Sequence, residues 1–171
     1  TTTINFVRSG SIASGYSSYS VVAADDGSFF TSRIMPDETY QKYSLQFGLV
    51  TSNNFESTYQ TYTSNLIDGW SVGTQPKAVE VSNGQFAFTF VDDFGVKVSS
   101  FDSVDGTLIP PVILSDAITE HVSIAKIDSE TLAISWYSNE GIHITTFDTE
   151  SWSQIDTMTL SGRNSYPELI V

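Results

Sequence analysis

Gly84–Asp102 reads GQFAFTFVDDFGVKVSSFD, and Glu130–Asp148 reads ETLAISWYSNEGIHITTFD. The two stretches superpose without a gap at a spacing of 46 residues. Gly95 falls on Gly141, Phe90 on Trp136, Phe101 on Phe147 and Asp102 on Asp148. Within each stretch bulky side chains alternate with small ones. Phe86, Phe88 and Phe90 enclose Ala87 and Thr89; Leu132, Ile134 and Trp136 enclose Ala133 and Ser135. A period of two marks a strand. A sheet with one wet face would carry charge on that face. Small uncharged residues there predict that a second layer covers it. A repeat in the forties built from short strands marks a stacked β array.

Working outward, Ala78–Val81 is a first strand, Ser82-Asn83-Gly84 a tight turn and Gln85–Val91 a second strand. Asp92–Gly95 turns the chain into a third strand, Val96–Phe101, and Val112–Leu114 lies in a fourth. Pro110-Pro111 before it suits an outer edge, because proline cannot donate a ladder hydrogen bond. The next unit repeats this order with Ile124–Ile127, Thr131–Trp136, Ile142–Phe147 and Ile155–Leu160. A diverged unit precedes both: Val21–Ala24, Ser28–Ile34, Lys42–Val50 and Phe55–Tyr62, with Thr63–Gln75 as an enlarged connection. The units run over about residues 19–75, 76–121 and 122–165. Thr3–Val7 is expected as an isolated strand, and Tyr166–Val171 as the first strand of a further unit.

The paired motif resembles β-propeller blades over Tyr19–Val171, at the level of fold and without pointing to one propeller family. No Trp-Asp dipeptide and no double glycine is present, and Ser103–Leu108 matches the Asp-box of sialidase-like propellers only in part. The expected fold is therefore all-β: a propeller-like array of about three four-stranded antiparallel blades plus unpaired terminal strands. A β-sandwich is the alternative. Propellers close with about four to eight blades. The resemblance thus implies part of a larger ring, completed by a second copy or by a longer parent chain.

Composition narrows the functional classes. Seven Lys and Arg face 20 Asp and Glu, for a net charge of −13. That leaves no basic footprint for nucleic acid, and anionic membranes would repel the chain. No apolar run approaches the roughly 18–20 residues of a spanning helix. Cysteine is absent, which removes disulfides and thiolate metal sites. No signal peptide and no initiator Met are visible, so the sequence reads as a mature product or a stretch of a longer one.

Asp92, Asp93 and Glu140, with Asp25, Asp26 and Asn139, fall at hairpin turns. Carboxylates gathered near one rim would suit Ca²⁺, which takes about six to eight oxygens. The same residue types are favoured turn formers, and no EF-hand-type loop is present. His121 and His143 are the only histidines. No nucleophile elbow accompanies them, so no catalytic residue is nominated. Trp70 and Trp152 lie in connections and are the candidates for stacking on a sugar ring; Tyr16 and Tyr19 are further aromatics of this kind. Arg163 and Tyr166 sit in the connection into the further unit, and the propeller resemblance implies, by analogy of fold alone, a ligand rim on the side of such connections. Trp136 aligns with Phe90 and is expected in the core.

These features favour a non-enzymatic, extracellular or surface-associated module for protein–protein interaction or structural assembly. Its partners would be another protein or a second copy, held through the terminal strands by β-augmentation. The alternatives are a carbohydrate-binding module using Trp70 or Trp152, and a glycoside hydrolase on the same scaffold, which needs two carboxylates roughly 5–10 Å apart.

Overall fold

A computed structural model describes residues 19–24, 27–36, 43–51, 54–62, 76–92, 94–116, 119, 121–162 and 167–169. Side chains are described at all of these except 19–20, 33–36, 43–46, 50–51 and 54–62. The described residues form twelve strands and no helix. The first sheet holds β1 (Tyr19–Ala23), β2 (Phe29–Pro36), β3 (Tyr43–Thr51) and β4 (Asn54–Tyr62). The second holds β5 (Lys77–Ser82), β6 (Gln85–Asp92), β7 (Gly95–Asp102) and β8 (Leu108–Ser115). The third holds β9 (Val122–Lys126), β10 (Thr131–Ser138), β11 (Gly141–Asp148) and β12 (Ser153–Ser161). Each sheet is an antiparallel meander in chain order. There are three sheets where a sandwich would have two.

The sheets stack through their alternating faces. Phe30 and Phe47 of the first sheet meet Phe86, Phe88, Phe90 and Phe101 of the second. Phe30 stacks on Phe86 with ring centroids 4.7 Å apart, and Phe47 meets Phe88 at 5.1 Å. On its other side the second sheet offers Ala87, Val91, Val96 and Val98, which lie under Leu132, Ile134, Trp136 and Phe147 of the third. Large rows thus fill the space over small ones, as close packing at a sheet spacing of about 10 Å requires. Each fully buried aromatic or branched side chain contributes on the order of 1.5–3 kcal/mol. The first strands draw together, β5 touching β1 on one side and β9 on the other. The last strands lie outermost, and all nine residues of β12 are exposed.

Three local expectations shift. Asp92 pairs with Gly95 across the strands, so the turn between β6 and β7 shortens to two residues. Pro110 and Pro111 lie inside β8, not before it. The ladder with β7 shifts register at two places, between Val96 and Lys97 and between Val98 and Ser100, and proline is tolerated on such an edge. At the chain end, Pro167–Leu169 is not in a strand. Its Leu169 N–H instead donates to Ser123 Oγ on β9 at 3.1 Å. The expected strand Thr3–Val7 and the connection Thr63–Gln75 lie outside the described residues.

Candidate functional site

The turn between β6 and β7 is organised by a buried ion pair. Asp92 is fully buried and Lys97 is 7 % exposed. Lys97 Nζ donates to Asp92 Oδ2 at 2.5 Å, and the Phe94 N–H donates to Asp92 Oδ1 at 2.9 Å. The Lys97 ammonium also sits 5.1 Å from the centre of the Phe94 ring. Both carboxylate oxygens of Asp92 are thereby engaged inside the protein. Asp93 lies outside the described residues.

One repeat later the same frame carries different chemistry. Ser138 replaces Asp92, and His143 replaces Lys97. Ser138 Oγ lies 2.6 Å from His143 Nε2 and accepts the Glu140 N–H at 3.1 Å. His143 Nδ1 lies 3.0 Å from Thr159 Oγ1, and the ring stacks on Trp136 at 5.2 Å and 9°. A serine beside a histidine suggests nucleophilic chemistry, but a relay needs an acid to orient the ring. Here a threonine hydroxyl holds the second nitrogen, and the position equals a structural ion pair one unit earlier. The arrangement works as a hairpin clasp. Sequence reading singled out Asp92 and His143 separately and missed their partners. The 46-residue alignment sets Asp92 on Ser138 and Lys97 on His143, but which side chain stands beside which is seen only in the structure.

Glu140 is exposed at the tip of its turn. Among the described residues no group of three or more His, Cys, Asp or Glu is placed to hold a metal ion. Trp152 is half-buried, with its ring edge-on to Phe147 at 5.0 Å and 79°. Its Nε1 is buried and has no hydrogen-bond partner among the described residues. It takes φ +50°, where the second sheet has Gly106 at φ +75°, and a left-handed tryptophan costs roughly 1–2 kcal/mol of strain. Trp70, Arg163, Tyr166, Tyr16, Asp25 and Asp26 lie outside the described residues, as does the side chain of Tyr19. Trp136 is buried in the core, 2 % exposed.

At the opposite end of the sheets, three turn aspartates are held ionised by local donors. The Thr107 side chain and N–H beside Asp105 lower its pKa below the ordinary aspartate value. The Glu130 N–H does the same for Asp128, and the Ser151 hydroxyl and N–H for Asp148. Hydrogen bonds to the charged form are the cause in each case. Between the first strands runs an open groove of about 530 Å³, lined by Val22, Ala78, Glu80, Ile124 and Lys126 among others. Glu80 and Lys126 occupy equivalent positions one repeat apart, and Glu80 accepts the Gly84 N–H at 3.2 Å.

Comparison of this architecture with solved structures finds the β-propeller domain of the Trilobed protease from Pyrococcus furiosus, described as having an open velcro topology. The TM-score is 0.53 at 12 % identity, over 86 % of this chain and 44 % of that one. The three sheets are propeller blades. Kuenenia stuttgartiensis hydrazine synthase is similar at a TM-score of 0.52 and 12 % identity, over 82 % of this chain and 48 % of that one. The chain thus spans less than half the length of either neighbour. No family model matches the sequence, and no curated protein matches it. The likeness concerns fold and leaves chemistry to be argued from the residues.

Proposed function

We propose that this chain is a non-enzymatic, extracellular or surface-associated propeller module that acts in protein–protein interaction or structural assembly. The observation that supports this is the outward face of the third blade. Met158 is 54 % exposed there and Leu160 43 %, beside the half-buried Ile144. Apolar side chains grouped on a sheet face mark a surface made to be covered. The competing reading is a lectin-like site at Trp152, favoured by the strained backbone under that ring, since strain of this kind gathers at ligand sites. A glycan array decides between them. The assembly reading expects no saturable sugar binding; binding that disappears in Trp152→Ala would sink it and establish the lectin.

A further inference from the structure

An outermost strand presents its free backbone N–H and C=O groups to any strand that comes alongside. β12 is nine residues long, exposed throughout, and carries a single charged side chain, Asp156. Among the described residues no strand pairs with its outer side. Such an edge is a template for a second copy of itself, yet its central donor is already engaged. Thr145 Oγ1 on β11 donates to the Asp156 carbonyl at 2.6 Å, so that carbonyl points into the sheet. In a trans peptide the following N–H points the opposite way, and none of the described peptide bonds is cis. The Thr157 N–H therefore leaves the sheet at its outer edge. There it donates to Asp156 Oδ1 at 2.8 Å. Thr157 is the fifth residue of nine, so the carboxylate interrupts the edge at its midpoint.

The second blade reaches the same end by other chemistry. At the 46-residue spacing, Pro110 stands in the place of Asp156 and Pro111 in that of Thr157. The neighbouring register agrees: Val98 faces Val112 as Ile144 faces Met158, and Lys97 faces Ile113 as His143 faces Thr159. Pro111 has no N–H, so β8 lacks the donor that β12 possesses and covers. The hydroxyl behind this place recurs too. Ser99 and Thr145 are equivalent and fully buried, and Ser99 Oγ donates to the Ile109 carbonyl of β8 at 2.5 Å. The ladder shifts register at Ser99 in one blade and just past Thr145, between Thr146 and Phe147, in the other. Irregularities of this kind turn an edge away from a partner. We propose that Asp156 is an edge guard: its carboxylate occupies the central edge amide and keeps β12 from pairing with β12 of a second copy of this chain. An antiparallel pair centred on Thr157 would also set the two Asp156 side chains on diagonal neighbours, within reach of each other's charge. A partner of the third blade is thereby confined to its face and excluded from its edge.

The test removes the guard and then restores it in the form that β8 uses. The chain carrying Asp156→Ala is compared with its parent by light scattering on a sizing column, over a dilution series at physiological ionic strength. Self-association is expected to tighten by about ten-fold or more, because an opened edge and the loss of like-charge repulsion act together. The double substitution Asp156→Pro, Thr157→Pro copies β8 and is expected to return the mass to that of the parent at every concentration. Circular dichroism melts show whether each variant folds. Equal self-association of Asp156→Ala and parent overturns the proposal. So does association that the proline pair leaves in place, since the contact would then lie away from this edge. If the proline pair does not fold, the Thr157 amide decides. Its hydrogen exchange in Asp156→Ala is expected to slow as protein concentration rises, and exchange independent of concentration overturns the proposal. Failure here leaves the assembly reading standing, since that reading falls on the glycan array instead.

Discussion

Asp92 and Lys97 place a carboxylate and an ammonium inside the second blade, a few residues from a turn that is otherwise ordinary. Removing one partner of such a pair leaves an uncompensated buried charge, which costs about 3–5 kcal/mol. Lys97→Ala and Asp92→Ala are each expected to lose stability on that scale in urea unfolding. The third blade solves the same position with Ser138 and His143. Transplanting that solution, Asp92→Ser with Lys97→His, is expected to cost clearly less than either single truncation; an equal or larger loss would show that the two clasps are not interchangeable. Gly141 is a second residue with no latitude. Its φ is +133°, and an added Cβ would collide with the Leu160 carbonyl oxygen. Gly141→Ala is expected to cost at least about 2 kcal/mol. Gly27→Ala, with φ +84° but open space around it, should cost about 1 kcal/mol.

At the scale of single elements, the turns at one end of the blades depend on charge. Asp105, Asp128 and Asp148 have folded pKa values depressed by hydrogen bonds. A depressed carboxylate stabilises the fold fully above its unfolded pKa, and the contribution disappears as pH falls through the lower folded value. These turns are expected to loosen only below the usual aspartate range, with carboxyl NMR titration midpoints under the ordinary value. Midpoints at or above it would contradict the hydrogen-bond geometry. The strands themselves were legible because Phe86-Phe88-Phe90 and Leu132-Ile134-Trp136 alternate with small residues. Strand ends were less so: Pro110 and Pro111 read as a boundary, yet an outermost strand can hold them. The role of Asp92 was not legible at all. A turn aspartate and a metal ligand look alike until register shows which cation stands beside it.

For the whole molecule, position in the stack sets local stability. The second blade is covered on both faces, and β6 and β7 are buried along almost their full length. β12 is exposed throughout. Amide exchange should therefore be slowest in β6 and β7 and fastest in β12, since opening free energy follows burial and local packing. Uniform protection across the three blades would mean that they unfold as one unit without this gradient. An array of about three four-stranded units was legible in the sequence, two of them from the repeat and the first from its own alternation. The docking of Pro167–Leu169 on Ser123 was not, because it depends on a backbone donor meeting a side chain far away in sequence. The pairing of a large row with a small one has a consequence for how such a chain can grow. Every unit is a cast of the surface that precedes it and a mould for the one that follows. Tandem duplication of a unit therefore lengthens the array without any new contact having to be invented.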